Sequence, residues 1–189
     1  MRLGILGGSF DPPHLGHLIP AIDAAESLRL DAVHFVPAWE QPFKIGRASA
    51  NGSQRLAMTE RLVQAIPCFA VDRMEIDRGG LSYTVDTVAQ MAAANPMAEL
   101  VLLLGADAYA LFEQWREPER IRALASIAVL QRGGDTAPSQ VAGPVQVLQT
   151  RRVDISSTEL RARVADGRTI RGFTPDAVAD YVAEHRLYR

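Results

Sequence analysis

The 189-residue chain is 48% hydrophobic and 22% charged, an ordinary globular composition that argues against intrinsic disorder and suffices for a substantial core in one domain. Twenty basic against 22 acidic side chains give a net charge of −2, so no overall basic field exists to hold a nucleic acid backbone, and any phosphate must be bound at a local site. The single cysteine, Cys68, excludes an internal disulfide framework and a multi-cysteine metal site; between Pro67 and Phe69 it reads as a packed thiol rather than a nucleophile.

Short apolar runs alternate with helical spacing, the pattern of βαβ units and a parallel sheet. Leu3 to Leu6 predicts a first strand that stops at Gly7-Gly8. From Leu15, the residues Leu18, Ile19, Ile22, Ala25 and Leu28 recur at helical intervals, with Pro20 inside the pattern where it removes a backbone hydrogen bond and kinks the helix. Ala32 to Val36 is a second strand, ended by Pro37. Leu56, Val63 and Ile66 fit a helix face, and Phe69 to Val71 fits a third strand that can continue to Ile76. Tyr83 to Ala94 is helical, closed by Asn95-Pro96, and Leu100 to Leu104 is a continuous apolar strand of the kind buried on both faces.

Asp107 to Trp115 and Glu119 to Leu124 predict two short helices, followed by strands at Ile127 to Leu130 and Val145 to Leu148. Two helices finish the chain, near Ser157 to Ala165 and Pro175 to His185; for the second, Thr174 supplies an N-cap and Pro175 the first helical position. Trp39 to Ser53 and Arg132 to Pro144, rich in Gly, Pro, Ser and Ala, resist assignment, and loops this long in a compact domain tend to be functional lids or mobile segments. The longest apolar runs are strand-sized, far below the roughly 20 residues of a spanning helix. The first apolar run is too short for a secretory segment, so a cytoplasmic protein is the expectation.

The most informative segment is Gly7-Gly8-Ser9-Phe10-Asp11-Pro12-Pro13-His14-Leu15-Gly16-His17. It lies where an open parallel sheet keeps its ligand, beyond the carboxyl end of a strand and at a helix start. Paired glycines let the backbone turn and approach a ligand, and Ser9 with the N–H groups of the turn can face phosphate at the positive end of the helix dipole. His14 and His17, three apart, share one face of the first turn, and Gly16 removes bulk that would crowd a nucleotide. An ordinary turn with two surface histidines is the plain alternative. However, half of the chain's four histidines sit at this one helix start, which favours a site. With Asp11 as the lone nearby carboxylate, the spacing argues against a metal centre.

This run resembles the signature of the HxGH nucleotidyltransferase superfamily, and the whole chain is similar to its nicotinate-nucleotide adenylyltransferase family. Further matches, in the family's order, are Val36-Pro37 with Pro42-Phe43-Lys44, Arg55 with Met58, Ser82-Tyr83-Thr84-Val85-Asp86-Thr87, Gly105-Ala106-Asp107 with Trp115, Ile155-Ser156-Ser157-Thr158 with Arg161, and Leu187-Tyr188. The chain departs from the pattern at Phe43, where histidine is usual, at Gln41, where proline is usual, and at Arg116, where tyrosine is common.

The resemblance implies an α/β, Rossmann-like nucleotidyltransferase fold: one domain over 1–189 with a mostly parallel central sheet flanked by helices, and a small C-terminal helical subdomain, 155–189, carrying a second phosphate motif. It implies transfer of the adenylyl group of ATP to nicotinate mononucleotide, giving deamido-NAD and pyrophosphate in NAD biosynthesis. The partners are then small molecules, with no nucleic acid or membrane. Sister enzymes acting on nicotinamide mononucleotide or phosphopantetheine, and a non-catalytic nucleotide sensor on the same fold, are the alternatives.

Under this resemblance His14 and His17 donate hydrogen bonds to the triphosphate, beside Gly7, Gly8, Ser9, Phe10 and Gly16. Ile155, Ser156, Ser157, Thr158 and Arg161 cradle the departing phosphates; a Ser/Thr helix cap with a surface arginine is the plain reading of that segment taken alone. Lys44 contacts the reacting phosphates or is an exposed lysine. Gly105 permits close approach of the nucleotide, Asp107 accepts from sugar hydroxyls or caps the next helix, and Arg132 is a weaker contact to ATP. Asp11, Tyr83, Thr84, Trp115 and Arg116 are expected at the acceptor. There Trp115 stacks on the pyridine ring, where periodicity alone makes it a core aromatic, and the helix start at Tyr83-Thr84 receives the carboxylate, with Arg116 adding positive charge. Magnesium is implied as a bridge between phosphate oxygens that needs few protein ligands.

Overall fold

A computed structural model describes residues 1–42, 50–132 and 145–189, with the Arg132 side chain outside that description. In chain order the elements are β1 (Arg2–Gly8), α1 (Leu15–Leu28), β2 (Ala32–Pro37), α2 (Gly52–Val63), β3 (Phe69–Val71), α3 (Met74–Arg78) and α4 (Thr84–Ala94). They continue with β4 (Glu99–Gly105), α5 (Ala106–Ala110), a 3-10 turn at Phe112–Gln114, α6 (Pro118–Leu124), β5 (Ser126–Arg132), β6 (Val145–Thr150), α7 (Ser157–Ala165) and α8 (Asp176–Glu184).

The strands form one six-stranded sheet, ordered β3-β2-β1-β4-β5-β6, and each neighbouring pair is parallel. Side chains alternate across it with a period of two. Val33, Phe35, Val101, Leu103, Ala128 and Leu130 join a core with α1, α2, α7 and α8, which contribute Leu18, Met58, Leu160 and Val182. Leu3, Ile5, Leu100, Leu102, Leu104, Ile127 and Val129 face the opposite way and pack with Val85, Val88 and Ile121 of α4 and α6. Helices on both faces require strands apolar on both sides, which is why Leu100 to Leu104 is an unbroken apolar run.

Chain order reverses between β1 and β4, the switch point at which doubly wound sheets open a ligand crevice. The register shows the parting. β1 pairs with β4 from Arg2↔Glu99 as far as Ile5↔Leu102, but with β2 as far as Gly8↔Pro37. Beyond Ile5 the first strand therefore stays with β2, and the loop leaving it emerges over the gap.

Several elements differ from the pattern-based expectation. β1 runs through Gly7 and Gly8, because their backbones still pair with Val36 and Pro37. β3 ends at Val71, and Ile76 lies in α3, whose start is turned by Asp72 Oδ1 accepting from the Met74 N–H at 2.9 Å. Ile66 falls outside α2, which ends at Val63. The stretch from Asp107 to Trp115 is not one helix: α5 stops at Ala110, and a 3-10 turn follows. Pro175, not Thr174, occupies the N-cap of α8, because the Thr174 hydroxyl is committed to a distant carbonyl. α1 continues through the buried Pro20 to Leu28. Cys68 is half-buried against the first core. Among the described residues no helix is long and apolar enough to cross a membrane.

Candidate active site

The segment between β1 and α1 is held by side chains from three directions. Phe10 adopts a positive φ of 49°, an uncommon conformation for a residue with a Cβ, and buries its ring edge-on to His17 with centroids 5.1 Å apart. Gly8 makes room for it: a Cβ there would stand 2.9 Å from the Phe10 ring. At Gly16 a Cβ would meet the His14 ring at 2.9 Å and the Ile155 carbonyl at 3.2 Å. The space expected to admit a ligand at these two glycines is thus filled by the protein's own rings, whereas Gly7 and Gly105 have open space where a Cβ would lie.

His14 is the N-cap of α1. Its Nδ1 accepts from the Gly16 N–H at 3.1 Å, while His17 Nδ1 accepts from the His14 N–H at 3.3 Å. This is a reciprocal capping box made from two imidazoles, in place of the usual Ser/Thr with Glu/Gln. The chemical consequence follows from the lone pairs. A ring nitrogen that accepts cannot carry the proton, so both imidazoles hold it on Nε2, which becomes a donor. The rings stand 3.9 Å apart, with His14 buried and His17 partly exposed.

Behind them, Arg55 of α2 is 2% exposed and donates to four backbone carbonyls. Nε reaches Ala50 O at 3.1 Å, Nη1 reaches Ser9 O at 2.9 Å and also Ala38 O, and Nη2 reaches Trp39 O at 2.8 Å. One guanidinium thereby ties the loops after β1 and β2 to the start of α2. Burial pushes its pKa below the ordinary value, and the nearby Asp11 carboxylate works against that shift. The Ser9 hydroxyl donates to Gln41 Oε1 at 3.0 Å, a second link between the same two loops.

The third direction is the segment after β6. Arg161 Nη1 donates to Asp11 O at 2.7 Å, Ser157 Oγ to Pro12 O at 2.9 Å and Thr174 Oγ1 to Pro13 O at 2.9 Å. Three consecutive carbonyls, two of them on prolines without an N–H of their own, are each met by a donor from residues 157–174. Asp11 is itself buried, and its Oδ1 accepts from the Ala50 N–H at 3.1 Å and the Tyr188 hydroxyl at 2.7 Å. Ser156 caps α7 by accepting from the Glu159 N–H at 3.1 Å, and Thr158 Oγ1 accepts from Arg161 Nη2 at 3.1 Å. Ile155, Ser157 and Arg161 are therefore brought against the His14–His17 turn.

A second group gathers where α4 starts. The Arg116 guanidinium lies 4.9 Å over the Tyr83 ring and 3.9 Å from Asp86 Oδ2. Thr84 opens α4, whose N-cap Tyr83 makes no side-chain cap bond. Trp115 is half-buried against Phe112, with centroids 5.4 Å apart. This segment is joined to the first group through Trp39, whose N–H donates to Ser82 Oγ at 3.0 Å and whose carbonyl accepts from Arg55. Asp107 is exposed in α5, and the N-cap there is Gly105, with no side-chain cap. Lys44, Phe43 and the Arg132 side chain lie outside the described residues. Among the described residues no three His, Cys, Asp or Glu side chains converge to hold a metal.

The sequence does not mark Arg55, Thr174 or Tyr188 as holding the site: Arg55 and Tyr188 stand in it only as parts of matching motifs, and Thr174-Pro175 reads as a helix start, which conceals the bond to Pro13.

The family model described as Cytidylyltransferase-like matches residues 5–163. The "Probable nicotinate-nucleotide adenylyltransferase" of Gemmatimonas aurantiaca is 46% identical over 201 residues, covering 100% of this chain and 93% of the relative. Its namesake from Thermus thermophilus is 44% identical over 192 residues, covering 100% of both. Among solved structures, Plasmodium falciparum nicotinic acid mononucleotide adenylyltransferase complexed with NaAD aligns with a TM-score of 0.81 at 17% identity, covering 99% of this chain and 97% of the other. At that identity the likeness concerns the fold.

Proposed function

The chain belongs to the nicotinate-nucleotide adenylyltransferase family, and from that membership we propose that it transfers the adenylyl group of ATP to nicotinate mononucleotide, giving deamido-NAD and pyrophosphate. The observation that carries the reading is the pair of imidazoles whose Nδ1 atoms are both committed as acceptors.

An oxygen of the acceptor's phosphate monoester attacks the α-phosphorus of ATP, and pyrophosphate leaves in line. The attacking monoester is already anionic near neutral pH, so a general base is not required. The protein's work is to align two repelling anions and to stabilise charge on the phosphate oxygens. Nε2–H of His14 and of His17 are donors for those oxygens, and their orientation is set in advance by the capping box. The amino end of α1 adds its dipole. Arg161 has five N–H donors, of which two are committed to Asp11 O and Thr158 Oγ1; the remainder can meet the departing phosphates. Magnesium, carried in with ATP, would supply charge neutralisation at the triphosphate without needing dedicated protein ligands.

For the acceptor, the start of α4 at Tyr83-Thr84 with Arg116 beside it offers backbone N–H groups and a cation to the nicotinate carboxylate. The test is pyrophosphate release from ATP and Mg²⁺ in parallel with nicotinate mononucleotide, nicotinamide mononucleotide and phosphopantetheine. Strong preference for the first is expected. Preference for another acceptor would move the chain to a sister activity, and no release with any, despite ATP binding, would make it a sensor.

A further inference from the structure

We infer that Tyr188 is a positioning residue: its hydroxyl, acting through the Asp11 carboxylate, sets where the His14–His17 pair stands. The importance of that pair for turnover rests on the reading above; the linkage itself rests on geometry alone.

Tyr188 reaches Asp11 by an unusual path. After α8 the chain turns back with positive φ at Arg186 (51°) and at Tyr188 (64°), conformations a residue with a Cβ adopts at a cost when surroundings demand it. Leu187, buried between them, anchors the turn by donating its N–H to Val182 O at 3.0 Å. The result carries the phenol to the other end of the sequence, where its hydroxyl donates to Asp11 Oδ1 at 2.7 Å and its ring packs on the first core. A tyrosine here could have shown its hydroxyl to water. Instead it serves a buried carboxylate, whose oxygens need hydrogen-bond partners inside the protein. A further donor to that oxygen is the Ala50 N–H.

Between Asp11 and His14 stand two prolines, whose φ angles are locked by their rings. A stiff segment of this kind passes a displacement of Asp11 on to His14, and the capping box passes it to His17, because His17 Nδ1 accepts from the His14 N–H. The carbonyls of Asp11, Pro12 and Pro13 are separately fastened by Arg161, Ser157 and Thr174. Tyr188 fastens the side-chain end of the same segment.

Tyr188→Phe removes the hydroxyl and keeps the ring. Two measurements on the full chain decide the matter. In histidine ring ¹⁵N–¹H spectra, the signals of His14 and His17 should shift or broaden while those of His34, on β2, stay in place. In steady-state pyrophosphate release, kcat should fall about 10- to 100-fold with KM for both substrates within about threefold, because groups displaced by a fraction of an ångström lose rate more than binding. Unchanged His14 and His17 signals overturn the inference, as does an equal disturbance of His34, which would mean general loosening. A kcat within about twofold of wild type overturns it too. A wild type that releases no pyrophosphate would sink the proposed reaction, and the ring signals alone would then decide what Tyr188 does.

Discussion

Arg55→Met keeps most of a buried side chain's volume and removes a guanidinium that donates to the carbonyls of Ala50, Ser9, Ala38 and Trp39. Hydrogen bonds from a charged donor contribute about 1.5–3 kcal/mol each, so four would suggest a very large loss if they simply added. Two effects reduce it. Burial of the cation is itself unfavourable and pushes the Arg55 pKa below its ordinary value, and methionine relieves that cost. Carbonyls at the loop ends can also regain water once the side chain is gone.

Breaking a buried charged network typically costs about 3–5 kcal/mol, and that is the expected loss here, a large part of the roughly 5–15 kcal/mol that holds a domain folded. For a chain of this length it corresponds to a fall in Tm of about 6–20 °C. Differential scanning calorimetry with urea titration measures both. Arg55→Lys, one point charge in place of a fork, should recover part of the loss. If Arg55→Met unfolds within about 1 kcal/mol of wild type, the picture of one guanidinium holding the site's loops together is wrong.

Three further outcomes are expected. His17→Ala should lower turnover about 10²–10³-fold while far-UV circular dichroism stays native and stability drops by about 1 kcal/mol from the lost cap; near-normal rates would contradict the donor role. Glu75, buried beside Thr87, has its pKa raised chiefly by burial, so the folded state holds its proton more tightly than the unfolded chain does. That contribution to stability is present at low pH and lost as pH rises through the folded-state pKa. Glu75→Gln should therefore be more stable than wild type in urea at pH 8 and show no such gain at pH 4; an equal difference at both would contradict this. Arg116→Ala should raise KM for nicotinate mononucleotide roughly two- to tenfold and leave KM for ATP unaltered, and unchanged acceptor kinetics would remove Arg116 from the acceptor site.

The parallel sheet was legible because strands covered on both faces must be apolar throughout, and Leu100 to Leu104 is. α7 was legible from the Ser156-Ser157-Thr158 run, which reads as a Ser/Thr helix cap. Elements governed by one local bond were not. Asp72 turns the chain into α3, where the apolar Ile76 suggested more strand. Thr174 had two uses open to it, a cap or a distant carbonyl, and sequence order favours the near one while the folded chain uses the far one.

The histidine pair could be located from spacing, yet its tautomer depended on each ring's partner, which only the folded turn reveals. Gly8 and Gly16 illustrate the same limit: the need for a missing Cβ was readable, but what occupies the space was not. Contacts across 150 or more residues, such as Arg161 with Asp11 and Tyr188 with Asp11, leave no local pattern at all.

The most direct test of the site is a crystal structure of the protein with ATP and Mg²⁺. Phosphate oxygens should lie about 3 Å from Nε2 of both His14 and His17, with the Nδ1 contacts to Gly16 and His14 intact. A triphosphate bound away from the turn after β1, or rings rotated so that Nδ1 faces the nucleotide, would contradict the account.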